Sequence, residues 1–185
     1  TNVELNLGDN SVVTDFCRLN SIDLVVVGPE APLCDGLADA LEKHDIPCFG
    51  PIAALARLEG SKLFAKQIMR KVGIPTADFQ ILDDGSDINA ALNDYSSDPW
   101  VIKRDVLAGG KGVVVTSDFD EARMFIAESI ASDGKVLLEE FLPGEEASML
   151  LVMDGSDFVC LPPSQDHKRA YDGDNGPNTG GMGAY

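Results

Sequence analysis

The sequence predicts an α/β fold whose second half has an α+β arrangement. Short apolar runs of strand length alternate with segments in which apolar residues recur at helical spacing. Turns that contain glycine and proline separate these segments, as at 28–29 and 50–51. The 185 residues are 44% hydrophobic and 24% charged, which is typical of a globular chain rather than a disordered or fibrous one.

Charge and hydropathy exclude several classes of protein. The formal net charge is −17, so neither nucleic acid nor an anionic membrane is expected as a partner. A nucleotide held by a few local cations remains compatible with this charge. No apolar run approaches roughly 18 residues, and residues 1–10 lack the basic and apolar regions of a signal peptide. We therefore expect a soluble, acidic protein.

The cysteines predict a reducing, cytoplasmic compartment. Cys17, Cys34, Cys48 and Cys160 form no CxxC pair, and the chain has only two histidines, so a Cys/His zinc site is disfavoured and no metal ligand is assigned. Each cysteine has apolar neighbours in sequence and is interpreted as a small buried hydrophobic residue.

The first predicted strand is the continuous apolar run 23–27, which is typical of a strand buried on both faces. It ends at Gly28, Pro29 and Glu30, and ligands of open α/β sheets bind just beyond such ends. A helix at 37–41 and a strand at 46–49 follow, the strand ending at a second Gly-Pro pair. Taken alone, both pairs are better interpreted as plain turns.

A helical connector is predicted over 52–77. Ser61 can cap a helix that Gly73 ends, because serine accepts hydrogen bonds from first-turn N–H groups and glycine tolerates the left-handed conformation. The apolar face of this helix is expected to be Phe64, Ile68 and Val72.

The second unit is predicted to contain a sheet and two helices. Strands are expected at 79–82, 100–104, 112–116 and 135–139, the middle two forming a hairpin. Helices are expected over 88–95 and after Asp118, the latter with a face of Phe119, Ala122, Ile126 and Ile130. Segments 147–153 and 157–161 flank Asp154-Gly155 and predict another hairpin. Residues 162–185 are predicted to form a polar loop.

A glycine-rich segment at 106–112 can close over phosphates as a flap between two strands. Its spacing fits neither a P-loop nor a dinucleotide fingerprint, and a solvated hairpin tip is an equal alternative. Strand alternation places Val101, Lys103 and Asp105 on one face. Lys103 on an apolar strand needs a partner or an anion, unless its side chain extends from a sheet edge into solvent.

Two polar segments are further candidates. The linker 138–146 can present backbone groups to an adenine edge and carboxylates to a ribose, or it can be an acidic surface turn. Residues 164–185 have no periodicity and many hydrogen-bonding side chains, which favours an anion and small-molecule site over a disordered tail.

Taken together, these segments resemble the glycinamide ribonucleotide synthetases of the ATP-grasp superfamily. The motifs run in family order over nearly the whole chain. They are 26–33 (VVGPEAPL), 58–66 (LEGSKLFAK), 74–77 (IPTA), 101–103 (VIK) with 110–113 (GKGV), 139–142 (EEFL) with 144–148 (GEEAS), and 165–169 (QDHKR) with 176–185 (GPNTGGMGAY).

The resemblance implies a domain organisation. It implies the end of a Rossmann-like N-terminal domain over 1–51 and a connector over 52–77. A small ATP-grasp subdomain would follow over 78–150, and a larger one would begin at 151–185. It also implies an internal fragment, incomplete at both ends and poorly active alone.

The reaction implied by the resemblance is the second step of purine synthesis. ATP phosphorylates the glycine carboxylate, and the amine of 5-phosphoribosylamine attacks the acyl phosphate, giving glycinamide ribonucleotide, ADP and phosphate. Mg²⁺ or Mn²⁺ would be required, with ligands expected outside this chain. The alternatives are a sister ATP-grasp carboxylate ligase and a non-catalytic nucleotide-binding fragment.

Nucleotide-binding roles follow by position from the resemblance. Lys62 and Lys103 would reach the ATP phosphates, under a loop of Gly110, Lys111 and Gly112. Glu139 and the backbone of Phe141 and Leu142 would meet adenine. The ribose hydroxyls would be bound by Glu146 or alternatively Glu145.

Substrate-binding roles are implied for two further segments. The substrate-facing residues would be Asp166, His167, Lys168, Asn178, Thr179, Gly180, Gly181 and Met182. The residues implied to touch the ribonucleotide are Gly28, Pro29 and Glu30. The sequence departs from the family where Val106 replaces a glycine, which stiffens the loop, while Gly109 restores freedom three residues later.

Overall fold

The computed structural model describes residues 2–95, 98–107, 112–165, 167–173 and 175–182, and of 168, 169, 175 and 177–182 it describes the backbone. The helices are α1 Asn10–Leu19, α2 Glu30–Cys34, α3 Leu37–Glu42, α4 Ala53–Gly60, α5 Lys62–Val72, α6 Ile88–Asp94 and α7 Phe119–Asp133. The strands are β1 Val25–Val26, β2 Cys48–Phe49, β3 Phe79–Asp83, β4 Trp100–Arg104, β5 Val113–Thr116, β6 Lys135–Glu139, β7 Leu151–Asp154, β8 Asp157–Cys160, β9 His167–Tyr171 and β10 Asn175–Met182.

The first sheet pairs β1 with β2 in parallel, in the order expected of an α/β unit. Helices α1 and α3 pack on one side of it, around a cluster of Val13, Cys17, Leu37, Leu41 and Ile46. The prediction of a strand buried on both faces is wrong, because Leu24 is 54% and Val26 65% exposed. Val25 and Val27 pack against the helices, whereas the alternate side chains point away from them.

Helix α5 has the predicted ends. The Ser61 hydroxyl accepts a hydrogen bond from Phe64 N at 3.1 Å, and Gly73 ends the helix at a φ of 74°. The predicted apolar face is only half-buried, and Val72 is 60% exposed. The buried residue of this helix is instead Lys66, because its ammonium group has three polar partners in the protein.

The main sheet is antiparallel, with strand order β3-β6-β4-β5. Helices α6 and α7 cover one of its faces, as their predicted apolar spacing requires. The core between sheet and helices contains Leu82, Leu92, Ile102, Ala122, Ile126, Val136 and Leu138. The predicted strands and the β4–β5 hairpin are confirmed, with bounds that differ by at most one residue.

The predicted hairpin around Asp154-Gly155 is also confirmed, as β7 paired with β8. Gly155 adopts a φ of 55°, which glycine tolerates without strain. The first strand begins at Leu151, later than predicted, and an isolated bridge joins Ser148 to Ser164.

The expectation of a loop over 162–185 is wrong for much of that segment. Strands β9 and β10 pair antiparallel, with Met182 opposite His167 and Asn178 opposite Arg169. Backbone hydrogen bonds suffice for such a ladder, so a polar segment without an alternating apolar pattern can form it. Gly176, at a φ of 86°, lies where a Cβ atom would collide with the Tyr171 ring.

The cysteines differ in environment. Burial raises the pKa of the Cys17 and Cys48 thiols, whereas Cys160 is exposed, so the expectation that every cysteine is buried is wrong. Cys160 lies on β8, whose residues are all exposed. Over the described ranges, no helix has the length and apolar character needed to span a membrane.

The phenol of Tyr95 is expected to lose its proton at an unusually high pH. Burial raises its pKa to about 12, assisted by the nearby carboxylates of Asp78, Glu139 and Glu140. Because this pKa is raised on folding, its contribution to stability is present below pH ~10 and is lost as the pH rises toward about 12. In an absorbance titration of the tyrosines, Tyr95→Phe should remove the ionisation step near pH 12. A variant that keeps this step would contradict the assignment.

Candidate functional site

The candidate site lies on the face of the main sheet opposite its helix-covered core. The pairing of β4 with β6 places Val101 opposite Glu139 and Lys103 opposite Leu137. Since successive strand residues point to opposite faces, Lys103 and Glu139 share the face that Ile102 and Leu138 avoid. This confirms the alternation predicted for β4.

Glu139 binds two lysines on that face. Its Oε2 atom lies 2.9 Å from Lys103 Nζ and 3.0 Å from Lys66 Nζ. The Glu139 side chain is only 1% exposed, and its Oε1 atom is buried without a hydrogen-bond partner among the described residues. Because a buried carboxylate is stable only when its charge is compensated, the two ammonium groups account for its burial.

The two lysines differ in how many hydrogen-bond donors they keep available for a ligand. Lys66 Nζ also donates to Thr76 Oγ1 at 3.1 Å and to the Ala77 carbonyl at 3.0 Å. With Glu139 these partners take all the donors of an ammonium group, and the Lys66 side chain is 9% exposed. Lys103 is 30% exposed, and Glu139 is its one ion-pair partner in the described part of the chain. Lys103 therefore keeps donors for a ligand.

Lys66 was missed as a functional residue by reasoning from the sequence. Its motif contributed to the family resemblance, but the helix was interpreted through its apolar positions. A signal was present, because Lys62, Lys66 and Arg70 recur every four residues and so lie on one helix face. A row of cations on the face that packs toward a sheet predicts acidic partners on that sheet.

Lys62 reaches the segment that follows β4. Its Nζ atom donates to the Val106 carbonyl at 3.1 Å, at the root of the glycine-rich segment. Lys62 thus contacts the first residue of that segment, and Lys103 lies three residues before it on β4. Of the predicted phosphate-covering residues, Gly110 and Lys111 lie outside the described residues.

Asp105 joins α5 to the end of β4. Its carboxylate accepts hydrogen bonds from Leu63 N at 2.9 Å and from the Ser61 hydroxyl at 3.0 Å, and it lies 3.1 Å from Lys135 Nζ. The Asp105 side chain is 4% exposed. A carboxylate at a helix N-terminus satisfies N–H groups that have no partner within the helix. Asp105 therefore fixes Lys62 relative to Lys103.

The C-terminal end of the glycine-rich segment 106–112 is also held in place. Gly112 is buried, and its carbonyl accepts a hydrogen bond from Arg104 N at 2.8 Å. The Arg104 guanidinium contacts the Asp133 carboxylate at 2.6 and 2.8 Å, which lowers the pKa of Asp133 and raises that of Arg104. Both ends of the segment are therefore held by the sheet and its helices.

The predicted adenine and ribose residues follow β6 directly. Phe141 is 39% and Leu142 60% exposed, and Glu145 and Glu146 are exposed as well. The Glu139 carboxylate points to the lysines, so a contact of this residue with adenine would use its backbone or its Oε1 atom.

The predicted substrate-facing residues lie on the β9–β10 hairpin. His167 on β9 is exposed, and the backbones of Lys168 and of Asn178, Thr179, Gly180, Gly181 and Met182 belong to its two strands. Asp166 lies outside the described residues.

The remaining substrate residues, Gly28, Pro29 and Glu30, lie between β1 and the first turn of α2 and are exposed. Within the described ranges, no hydrogen bond or ion pair joins them to Glu139 and its two lysines.

No metal-binding cluster is found among the described residues, where no group of three histidine, cysteine or acidic side chains converges. The carboxylates nearest the lysines are compensated by them, as Glu139 and Asp105 show. These two carboxylates are therefore not assigned to a metal ion.

Two family models together match the whole chain. Residues 1–59 match the family described as phosphoribosylglycinamide synthetase, N domain, and residues 60–185 match its ATP-grasp (A) domain. A phosphoribosylamine–glycine ligase of Rhizobium meliloti (strain 1021) is 48% identical over 188 aligned positions, which cover 99% of this chain and 44% of that protein. The chain thus spans less than half the length of the curated relatives it matches.

Solved structures support the same fold. The crystal structure of phosphoribosylamine–glycine ligase from Thermotoga maritima has 42% sequence identity and a TM-score of 0.64, covering 73% of this chain and 36% of that one. D-alanine–D-alanine ligase from Bacillus anthracis complexed with ATP has 24% identity and a TM-score of 0.68, covering 89% of this chain and 54% of that one. The predicted resemblance and fold are confirmed, and the chain belongs to the phosphoribosylglycinamide synthetase family.

Proposed function

We propose that this chain is the nucleotide-binding part of a phosphoribosylamine–glycine ligase. The protein would join glycine to 5-phosphoribosylamine at the expense of ATP, giving glycinamide ribonucleotide, ADP and phosphate. The family match over both domains and the printed names of the relatives support this reaction. The use of ATP and the four free cysteines fit a cytoplasmic protein with small-molecule substrates.

The observation that carries the proposal is the placement of Lys62 and Lys103. Lys103 is partly exposed beside Glu139, and Lys62 contacts the root of the glycine-rich segment that begins two residues after β4. Two ammonium groups at the root of a glycine-rich connection can bind phosphate oxygens while backbone N–H groups cover them. Gly110, Lys111 and Gly112 are proposed to form that cover.

The reaction needs positioning and charge neutralisation rather than a protein nucleophile. A glycine carboxylate oxygen attacks the γ-phosphorus of ATP, and ADP leaves with the electrons of the broken P–O bond. The amine of 5-phosphoribosylamine then attacks the acyl carbon, phosphate leaves, and the nitrogen loses a proton. Lys62 and Lys103 would stabilise the charge on the phosphate oxygens during the first step.

The other assignments complete the proposed site. The backbones of Glu139, Phe141 and Leu142 would bind adenine, and Glu146 or Glu145 would bind the ribose hydroxyls. The β9–β10 hairpin with Asp166, and more distantly Gly28 to Glu30, would face the other substrates. The proposed division is an N-terminal part over 1–51, a connector over 52–77, and ATP-grasp subdomains over 78–150 and 151–185.

Mg²⁺ or Mn²⁺ is proposed as a requirement of the ATP chemistry, since divalent cations neutralise developing phosphate charge. No described residue is assigned to the cation, because the described carboxylates at the site are compensated by lysines.

Lys103→Ala should weaken ATP binding by this chain. Loss of one charge-assisted hydrogen bond is worth about 2 kcal/mol, which corresponds to roughly a 30-fold increase in Kd. Calorimetric titration with ATP, with and without Mg²⁺, measures the effect. Lys71→Ala is the matched control, since Lys71 is an exposed lysine at the end of α5 and should leave Kd unchanged.

Equal ATP affinity in Lys103→Ala and the parent chain would remove the phosphate role of Lys103. ADP release measured with glycine plus 5-phosphoribosylamine, and separately with bicarbonate, distinguishes the proposed ligase from a sister carboxylate ligase. Stimulation by bicarbonate alone would favour the sister enzyme.

A further inference from the structure

We propose that Lys66 is a positioning residue, which offsets the charge of Glu139 so that Lys103 presents its positive charge to an anionic ligand. The proposal rests on the proposed function for the identity of that ligand, a nucleoside triphosphate. It assigns a role to a residue that contacts no ligand itself, because its ammonium donors are already used by protein atoms.

Lys66 is unusually deeply buried for a lysine. A lysine side chain 9% exposed is rare, because an ammonium group loses its hydration on burial. Lys66 Nζ recovers this loss through Glu139, Thr76 and Ala77, at 3.0 to 3.1 Å. Its stem also passes the Phe79 ring, with Nζ 5.2 Å from the ring centroid. Such an arrangement leaves Lys66 one orientation.

Both lysines of the cluster bind the same carboxylate oxygen of Glu139. Lys66 and Lys103 share Glu139 Oε2, at 3.0 and 2.9 Å, while Oε1 has no hydrogen-bond partner among the described residues. The carboxylate could bind Lys103 alone with both oxygens. The shared arrangement instead divides one negative charge between two cations.

The cluster of Lys66, Lys103 and Glu139 carries a net positive charge. Two ammonium groups and one carboxylate leave a net charge of one positive unit, and Lys103 is the member that solvent reaches. Without Lys66 the charge of Glu139 would be matched by Lys103, and the group would be neutral. An anion approaching Lys103 would then lose most of the attraction, since the pair is partly buried and weakly screened.

Two variants test this role. Lys66→Met removes one charge and keeps most of the side-chain length, and Glu139 remains compensated by Lys103. We expect its ATP Kd to rise about tenfold, the size of one lost charge near a partly buried site. In the double variant Lys66→Met with Glu139→Gln, the net charge of one positive unit returns to Lys103, and we expect the affinity for ATP to recover to within about threefold of the parent chain.

These variants separate positioning from structural support. If Lys66 only supports the fold, removing the charge of Glu139 cannot restore what Lys66→Met loses, so the double variant would bind ATP no better than Lys66→Met. That result, or an unchanged Kd in folded Lys66→Met, would overturn the proposal. Lys71→Met, at an exposed position of the same helix, is the matched control and should leave Kd unchanged.

A second readout does not depend on ATP. Acetic anhydride modifies accessible lysine amines, and peptide mass spectrometry gives the rate at Lys103 relative to Lys71. We expect Lys103 labelling to slow in Lys66→Met, where Glu139 holds its amine alone, and to recover in the double variant. If the parent chain fails to bind ATP, the proposed function fails, while the labelling rates still decide the role of Lys66. Labelling unchanged in Lys66→Met would reject it.

Discussion

Glu139→Gln is expected to lower the free energy of unfolding by about 3–5 kcal/mol, the range for breaking a buried ion pair by removing one partner. The substitution keeps the shape of the side chain and removes only its charge. Lys66 then stays buried with Thr76 and Ala77 as neutral partners, and its ammonium charge is uncompensated. Lys103 suffers less, because its side chain is 30% exposed to solvent.

Urea denaturation followed by the fluorescence of the single tryptophan, Trp100, measures this change, because Trp100 packs against the core of the same sheet. Glu140→Gln is the matched control. Glu140 is the adjacent, exposed residue, and its Oε2 accepts a hydrogen bond from Asp78 N at 3.2 Å that a glutamine oxygen can also accept. Its expected effect is within about 0.5 kcal/mol. Equal stability losses in the two variants would refute the charge argument.

The same cluster explains what the sequence could predict about the site. Period-two alternation correctly placed Lys103 on the face opposite Ile102, because alternation is a local property of any strand. The partner of Lys103 depends on which strands are neighbours and in which register. The β4–β6 pairing that brings Glu139 to Lys103 joins residues 36 positions apart, and no local pattern specifies it.

Local signals predicted the second half of the fold well. The predicted caps at Ser61 and Asp118 each accept a hydrogen bond from a backbone N–H of their helix, and the predicted Gly73 ends α5. These contacts lie within a few residues, so composition at the helix ends encodes them. Helix α1 was not predicted, although Asp9 caps it and Val13 and Cys17 have helical spacing.

Local sequence patterns gave wrong predictions where the structure depends on which elements pack together or on backbone hydrogen bonds alone. Val26 belongs to an apolar run, but its exposure is set by the helices that pack on one side of β1. The β9–β10 hairpin is rich in polar residues and glycines and lacks an alternating apolar pattern. Propensity therefore favoured a loop there, and inter-strand hydrogen bonds decided otherwise.

Asp105→Ala is expected to lower the free energy of unfolding by about 2–4 kcal/mol, since it removes several hydrogen bonds to one buried carboxylate. Leu63 N loses its acceptor in the first turn of α5, and the Ser61 hydroxyl loses a second partner. Lys135, whose side chain is 42% exposed, can return to solvent and contributes less to the loss. Urea denaturation of the variant beside the parent chain measures the change.

Asp105→Asn distinguishes the hydrogen bonds from the charge. An asparagine oxygen can still accept from Leu63 N, so we expect less than half of the stability loss of Asp105→Ala if hydrogen bonds dominate. Equal losses in both variants would assign the effect to the charge that faces Lys135 and the N-terminus of α5.

The stability of this contact also bears on ligand binding. Asp105 holds the N-terminus of α5 against the end of β4, and Lys62, the first residue of that helix, donates to the carbonyl of the adjacent Val106. Asp105→Ala should therefore weaken ATP binding although Asp105 itself faces the helix. The loss should be smaller than that of Lys103→Ala, because Lys62 is displaced rather than removed. An Asp105→Ala chain that is destabilised but binds ATP with the affinity of the parent would show that Lys62 does not need this anchor.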